Sequence, residues 1–203
     1  MAGVSETITR EYFELHEFLV RQPRKHLDQT QRDDDDDIDF FVLNPHPQLP
    51  EQGPLPFILS SGNLPCIERA VVVIKAWHTK VFSNAELSAA PKIFQFVESR
   101  QFQEAASAFG KNGMPLKILV VPALPQGAEA RNQSIALLRS KGIDGVIPFR
   151  TMLTDLILHT EVNRNYQKSD LLQTIRILKN YDLLKEPQME LFKTSRRKTK
   201  QPS

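Results

Sequence analysis

The sequence predicts an α/β protein: a mixed central sheet with helices on both faces, in the order α-β-β-β-α-β-α-β, followed by C-terminal helices. Three observations predict it. Three short apolar runs follow one another early in the chain with only loops between them, the pattern of hairpin-related strands. Two later apolar runs alternate with helical segments, and that rhythm makes parallel pairs with right-handed crossovers. With 203 residues, 40% hydrophobic and 25% charged, the chain suits one domain with appendages and can fill a core.

"SETITREYFELHEF" opens as a helix: Ser5 can cap it, and Ile8, Tyr12, Leu15 and Leu19 recur on one face. "FLVRQPRKH" is the first strand, with Pro23 marking an edge or a bend. "QRDDDDD" reads as a solvated connection. Ile38 to Leu43 is the second strand, ended by Asn44-Pro45. Pro45, Pro47, Pro50, Pro54, Pro56 and Pro65 make the next segment an extended loop. "RAVVVIKAW" is the third strand. "SNAELSAAPKIFQFVESRQFQEAASAFG" is helical, with Pro91 a break point and Gly110 a stop. "LKILVVPAL" and "DGVIPF" are strands on either side of the helix "AEARNQSIALLRSKG". "RTMLTDLILHTEV" and "SDLLQTIRILKNYDLL" are helices, the second capped by Ser169. The predicted divisions are an α/β body over 1–160, a helical extension over 161–192 and a disordered basic tail over 193–203.

The formal net charge of +2 argues for no particular partner, but the charge is unevenly placed. Lys193, Arg196, Arg197, Lys198 and Lys200 crowd the tail without an acid, so the rest of the chain is mildly acidic. Cys66 is the only cysteine, which excludes an internal disulfide and a cysteine-rich zinc site. No apolar leader and no membrane-spanning run are visible, so the expected compartment is the cytoplasm. GxSxG, P-loop and GxGxxG motifs are absent from the sequence, and the five histidines lack metal-ligand spacing.

Lys75 ends an apolar run, where a lysine needs a reason. With Asp39 in "IDFF", Lys75 in "VVVIKAW" and Glu14 in "YFELHEF", the element order resembles the PD-(D/E)XK, or restriction-endonuclease-like, nuclease superfamily over roughly residues 5–150. That family keeps an acid on the second core strand, an acid-x-lysine motif on the third and, in some members, a glutamate on the first helix. The resemblance implies Lys75, Asp39 and Glu14 as catalytic residues. It implies Asp39 and Glu14 as ligands of Mg²⁺, with Glu11 the next first-helix match. In such a site carboxylates hold the ion, leaving positions for water and a phosphate oxygen. The ion activates water, and the lysine orients it and neutralises developing charge. One position departs from the pattern. Strand alternation puts Val73 beside Lys75, where the family has its acid. The implied site is therefore degenerate unless Glu14 or Asp37 supplies the second carboxylate, and Val73→Glu is expected to raise Mg²⁺ affinity. Asp39 and Lys75 are expected to converge, with Glu14 facing them.

Nucleic acid, DNA or RNA, is the partner this implies. Candidate phosphate contacts are Arg21, Arg24 and Lys25, in a cluster with His26, and Arg196, Arg197 and Lys198 in the tail. Plainer readings stand beside each candidate. Lys75 can snorkel along Trp77, Asp39 can simply end an acidic loop, and Glu14 can be an exposed helix residue. Leu153, Leu156, Ile157, Leu171, Leu172, Ile175 and Leu178 read as core or as a homodimer face in the C-terminal helices. The competing function is a non-catalytic α/β module for protein interaction or structure. A Rossmann-like reading lacks a phosphate loop.

Overall fold

The structure is a computed structural model that describes residues 3–23, 38–50, 53–98, 102–103, 106–107 and 114–184. The chain divides into two compact units, Met1–His159 and Thr160–Ser203.

The first unit is built on a five-stranded mixed sheet. Its strands are β1 (Leu19–Arg21), β2 (Phe40–Leu43), β3 (Arg69–Ile74), β4 (Leu116–Val121) and β5 (Gly145–Pro148), arranged in that order across the sheet. β1, β2 and β3 pair antiparallel, whereas β3, β4 and β5 pair parallel. The expected neighbours are therefore found, Phe41 opposite Val71 and Val73 opposite Leu119. The helices are α1 (Val4–Leu15), α2 (Asn84–Ala89), α3 (Ala128–Ser140) and α4 (Phe149–His159). The helical segment after residue 83 breaks at Pro91, as the sequence predicts. There α2 gives way to a 3-10 segment, Pro91–Val97, because proline cannot donate the next helical hydrogen bond.

Helices cover both faces, and alternation along the strands decides which residues meet which helix. Val71, Val73, Leu119, Val121 and Val146 share one core with Phe82, Leu87, Phe96 and Leu138, so α2, the 3-10 segment and α3 lie on that face. Phe40, Val42, Val72 and Val120 alternate to the other face and are fully buried. Arg10 of α1 stands over the Phe40 ring, 5.6 Å from its centroid, and α1 packs against α4. β3 and β4 are apolar on consecutive residues because they are covered twice.

The proline-rich segment does more than connect. Phe57 and Leu59 bracket Val146 through two backbone hydrogen bonds of 2.8 Å, adding an isolated parallel bridge beside β5. Gly145 permits this approach, since a Cβ there would stand 2.7 Å from a Leu59 methyl. A 3-10 segment, Ser61–Cys66, follows and buries Leu64.

In the second unit, α5 (Asp170–Asn180) begins at Ser169, whose hydroxyl accepts the Leu172 amide. Arg176 and Lys179 donate to the carbonyls of Val162 and Thr160, fastening the helix to the segment before it. Ile177, Tyr181 and Leu183 remain exposed.

Candidate functional site

The parallel strands β3, β4 and β5 end at one edge of the sheet, and antiparallel β2 begins there. Ligands of open α/β sheets favour that carboxyl edge, because helices leave it uncovered. Asp39 stands at this edge, and its amide donates to the Val72 carbonyl at 3.1 Å, extending the ladder one residue beyond β2. Its carboxylate accepts the Ile74 amide at 2.7 Å. The Lys75 amide donates to Val120 at 3.0 Å, so β3 stays in register through the lysine. Asp39 is thus fastened to the last residue of β3, directly before Lys75. Since Arg21 lies opposite Phe41, and Phe41 opposite Val71, alternation puts Arg21 and Lys75 on the same face, while the Asp39 carboxylate turns back to the β3 backbone beside them.

Past Lys75 the chain turns sharply, with Lys80 donating its amide to Trp77 at 2.8 Å. Trp77 is 40% exposed and lies 5.7 Å from the Phe82 ring. Lys80 stands 5.4 Å from the indole centroid and reaches Glu86 at 2.8 Å. Residues Ala76 to Lys80 line a shallow hollow of about 390 Å³. His78 packs edge-on against Phe149, and its Nε2 lies 3.2 Å from the Ser5 hydroxyl.

The other expected residues are placed differently. Glu14 is exposed on α1, whose buried side carries Ile8, Thr9, Tyr12 and Phe13 against the Phe40 face. Glu14 therefore belongs to the opposite side of the sheet from Lys75 and is not brought to it. Val73 is 1% exposed within the apolar core. An acid there would enter that core, so the expected gain of Mg²⁺ affinity from Val73→Glu gives way to an expected loss of stability. Arg24, Lys25, Asp37, Arg196, Arg197 and Lys198 lie outside the described residues.

Mg²⁺ asks for octahedral oxygen ligands, usually one or two carboxylates completed by phosphate and water. One carboxylate among the described residues, that of Asp39, stands beside Lys75, and its Oδ2 accepts the Ile74 amide. Among the described residues no group of three or more His, Cys, Asp or Glu is arranged to hold a metal ion. Among known protein families, curated proteins and solved structures, none matches this chain.

A second polar cluster went unseen in the sequence. Asp155 of α4 is buried, with its carboxylate 2.6 Å from His16 Nε2 and 3.5 Å from His159 Nδ1. Tyr12 packs edge-on against His16, with ring centroids 5.2 Å apart. Burial first, and the Asp155 carboxylate second, push the Tyr12 phenol well above its ordinary value. The cluster ties α1 to α4. Its only local signal was the i, i+4 spacing of Asp155 and His159, because His16 is 139 residues away from Asp155.

Proposed function

We propose that this chain is a nuclease-derived domain of the restriction-endonuclease-like type, and that its carboxyl edge binds nucleic acid through the phosphates. One observation carries the reading. Within an antiparallel β1–β2–β3 unit followed by a parallel β4, the Asp39 carboxylate is fastened to β3 one residue before Lys75. That is where the superfamily keeps its second-strand acid and its lysine. Lys75 and Arg21 supply positive charge on this face, and a lysine at a strand end suits a phosphate as a point charge. What is proposed is binding; cleavage in this family needs Mg²⁺, for which Asp39 is the one described carboxylate beside Lys75 and a further ligand would be needed.

The setting proposed is the cytoplasm, in keeping with Cys66 as a free thiol. No helix among the described residues is long and apolar enough to cross a membrane. A homodimer through the C-terminal helices belongs to the same reading, supported by exposed Ile177, Tyr181 and Leu183.

The test is binding of labelled single- and double-stranded DNA and RNA, with and without Mg²⁺, by the full chain and by Lys75→Ala. Binding is expected to survive chelation of Mg²⁺. Lys75→Ala is expected to weaken it about tenfold, the size of one charged hydrogen bond. No binding to any of the four substrates would end the reading and leave the protein-interaction module. Mg²⁺-dependent cleavage would restore the hydrolase.

A further inference from the structure

We infer that Trp77 is a stacking platform for an unpaired base, so that the substrate class of this edge is single-stranded nucleic acid rather than duplex. The inference rests on the nucleic-acid reading above and narrows it. Trp77 is the only tryptophan of the chain and lies two residues beyond Lys75. A folded protein gains by burying an indole, yet this one is 40% exposed above a hollow of about 390 Å³. Its ring is held, not loose: Phe82, itself fully buried, lies 5.7 Å away at 59°.

The neighbours say what fits. Lys80 stands 5.4 Å from the ring centroid, so an occupant meets an aromatic surface and a cation together. A nucleotide offers both complements, a flat base and an attached phosphate. The Lys80–Glu86 pair is 47% and 40% exposed, and ion pairs of that exposure are weak, so Lys80 can exchange Glu86 for a phosphate at little cost. In a duplex the base faces are already stacked on one another, and only unpaired bases present a free face to an aromatic side chain.

Because Trp77 is the sole tryptophan, intrinsic fluorescence reports on this ring alone. The full chain is titrated with a labelled single-stranded oligonucleotide and with its duplex, following label anisotropy and tryptophan emission together. The expected result is quenching by the single strand, with at least tenfold tighter binding than the duplex. Trp77→Ala should lose roughly tenfold in single-strand affinity and little in duplex affinity, as expected for one stacked base. Trp77→Phe should keep most of the affinity, which separates loss of stacking from loss of fold. Single-strand binding without quenching, equal affinity for the duplex, or unchanged binding by Trp77→Ala would each overturn the platform while leaving nucleic-acid binding intact. Absence of anisotropy change with either oligonucleotide would remove the platform together with the reading beneath it.

Discussion

Tyr12 carries the one buried side-chain polar atom that lacks a hydrogen-bond partner among the described residues. A hydroxyl removed from water without compensation costs free energy, and phenylalanine fills nearly the same space without that cost. Tyr12→Phe is therefore expected to raise the unfolding free energy by about 1 kcal/mol, read from urea midpoints near neutral pH. The same residue sets an alkaline limit. Burial and Asp155 raise the phenol's folded value above its ordinary 10.0. Below that value the tyrosine is protonated in both states and its contribution is complete. As pH rises past it, the unfolded chain ionises while the folded one keeps its proton, so stability falls until the folded value is passed. Between pH 9 and 11 the natural protein should lose more stability than Tyr12→Phe; equal losses would show the phenol to be solvated. Val73 makes the opposite case. It is apolar because it faces Val71, Leu119 and Phe82, and Val73→Glu is expected to cost about 3–5 kcal/mol as an uncompensated buried charge. A natural thermal midpoint in that variant would mean that position 73 opens to solvent.

At the scale of elements, α1 ends on a strained residue. Glu17 adopts φ 64°, and the Phe18 amide reaches back to Phe13 at 3.1 Å, the closure that usually recruits glycine. Glu17→Gly is expected to stabilise the protein by about 0.5–1 kcal/mol, since relief of left-handed strain outweighs the added freedom of the unfolded chain. A fall in the thermal midpoint would show that the Glu17 side chain contributes to the native state. The elements themselves were largely legible. Continuous apolar runs at 70–74 and 118–121 report strands covered on both faces, and Pro91 reports its own break. The placing of Asp39 beside the end of β3 was legible too, because two apolar strands joined by a loop pair antiparallel and bring the start of one to the end of the other. Two features were not. Glu14 was expected to face Lys75, but helical periodicity tells which side of α1 is buried and not which face of the sheet it covers. The pairing of Phe57 and Leu59 with β5 depends on chain some 90 residues further on, beyond any local pattern.

At the scale of the whole molecule, charge distribution governs how a polyanion is met. Removing Lys193, Arg196, Arg197, Lys198 and Lys200 turns the formal net charge of +2 negative. Beyond the Debye length, about 8–10 Å at moderate salt, that net charge is screened, so the rest of the chain attracts a nucleic acid only at short range and only where cations are local, as around Lys75. These five residues lie outside the described part of the chain, and their expected role rests on sequence alone. Each phosphate they neutralise releases condensed counterions, adding about 0.9 to the log–log salt slope on duplex DNA and about 0.7 on single strands. A chain ending at Phe192 should therefore bind more weakly at low salt, with a slope flatter by about one to three units. Its preference between single strand and duplex should persist, because counterion release carries no information about base pairing and the Trp77 contact does. Measuring both proteins on both oligonucleotides at two salt concentrations separates the two contributions. Identical slopes would leave the tail without a nucleic-acid role, and loss of the strand preference along with the tail would move the source of selectivity away from the β3 edge.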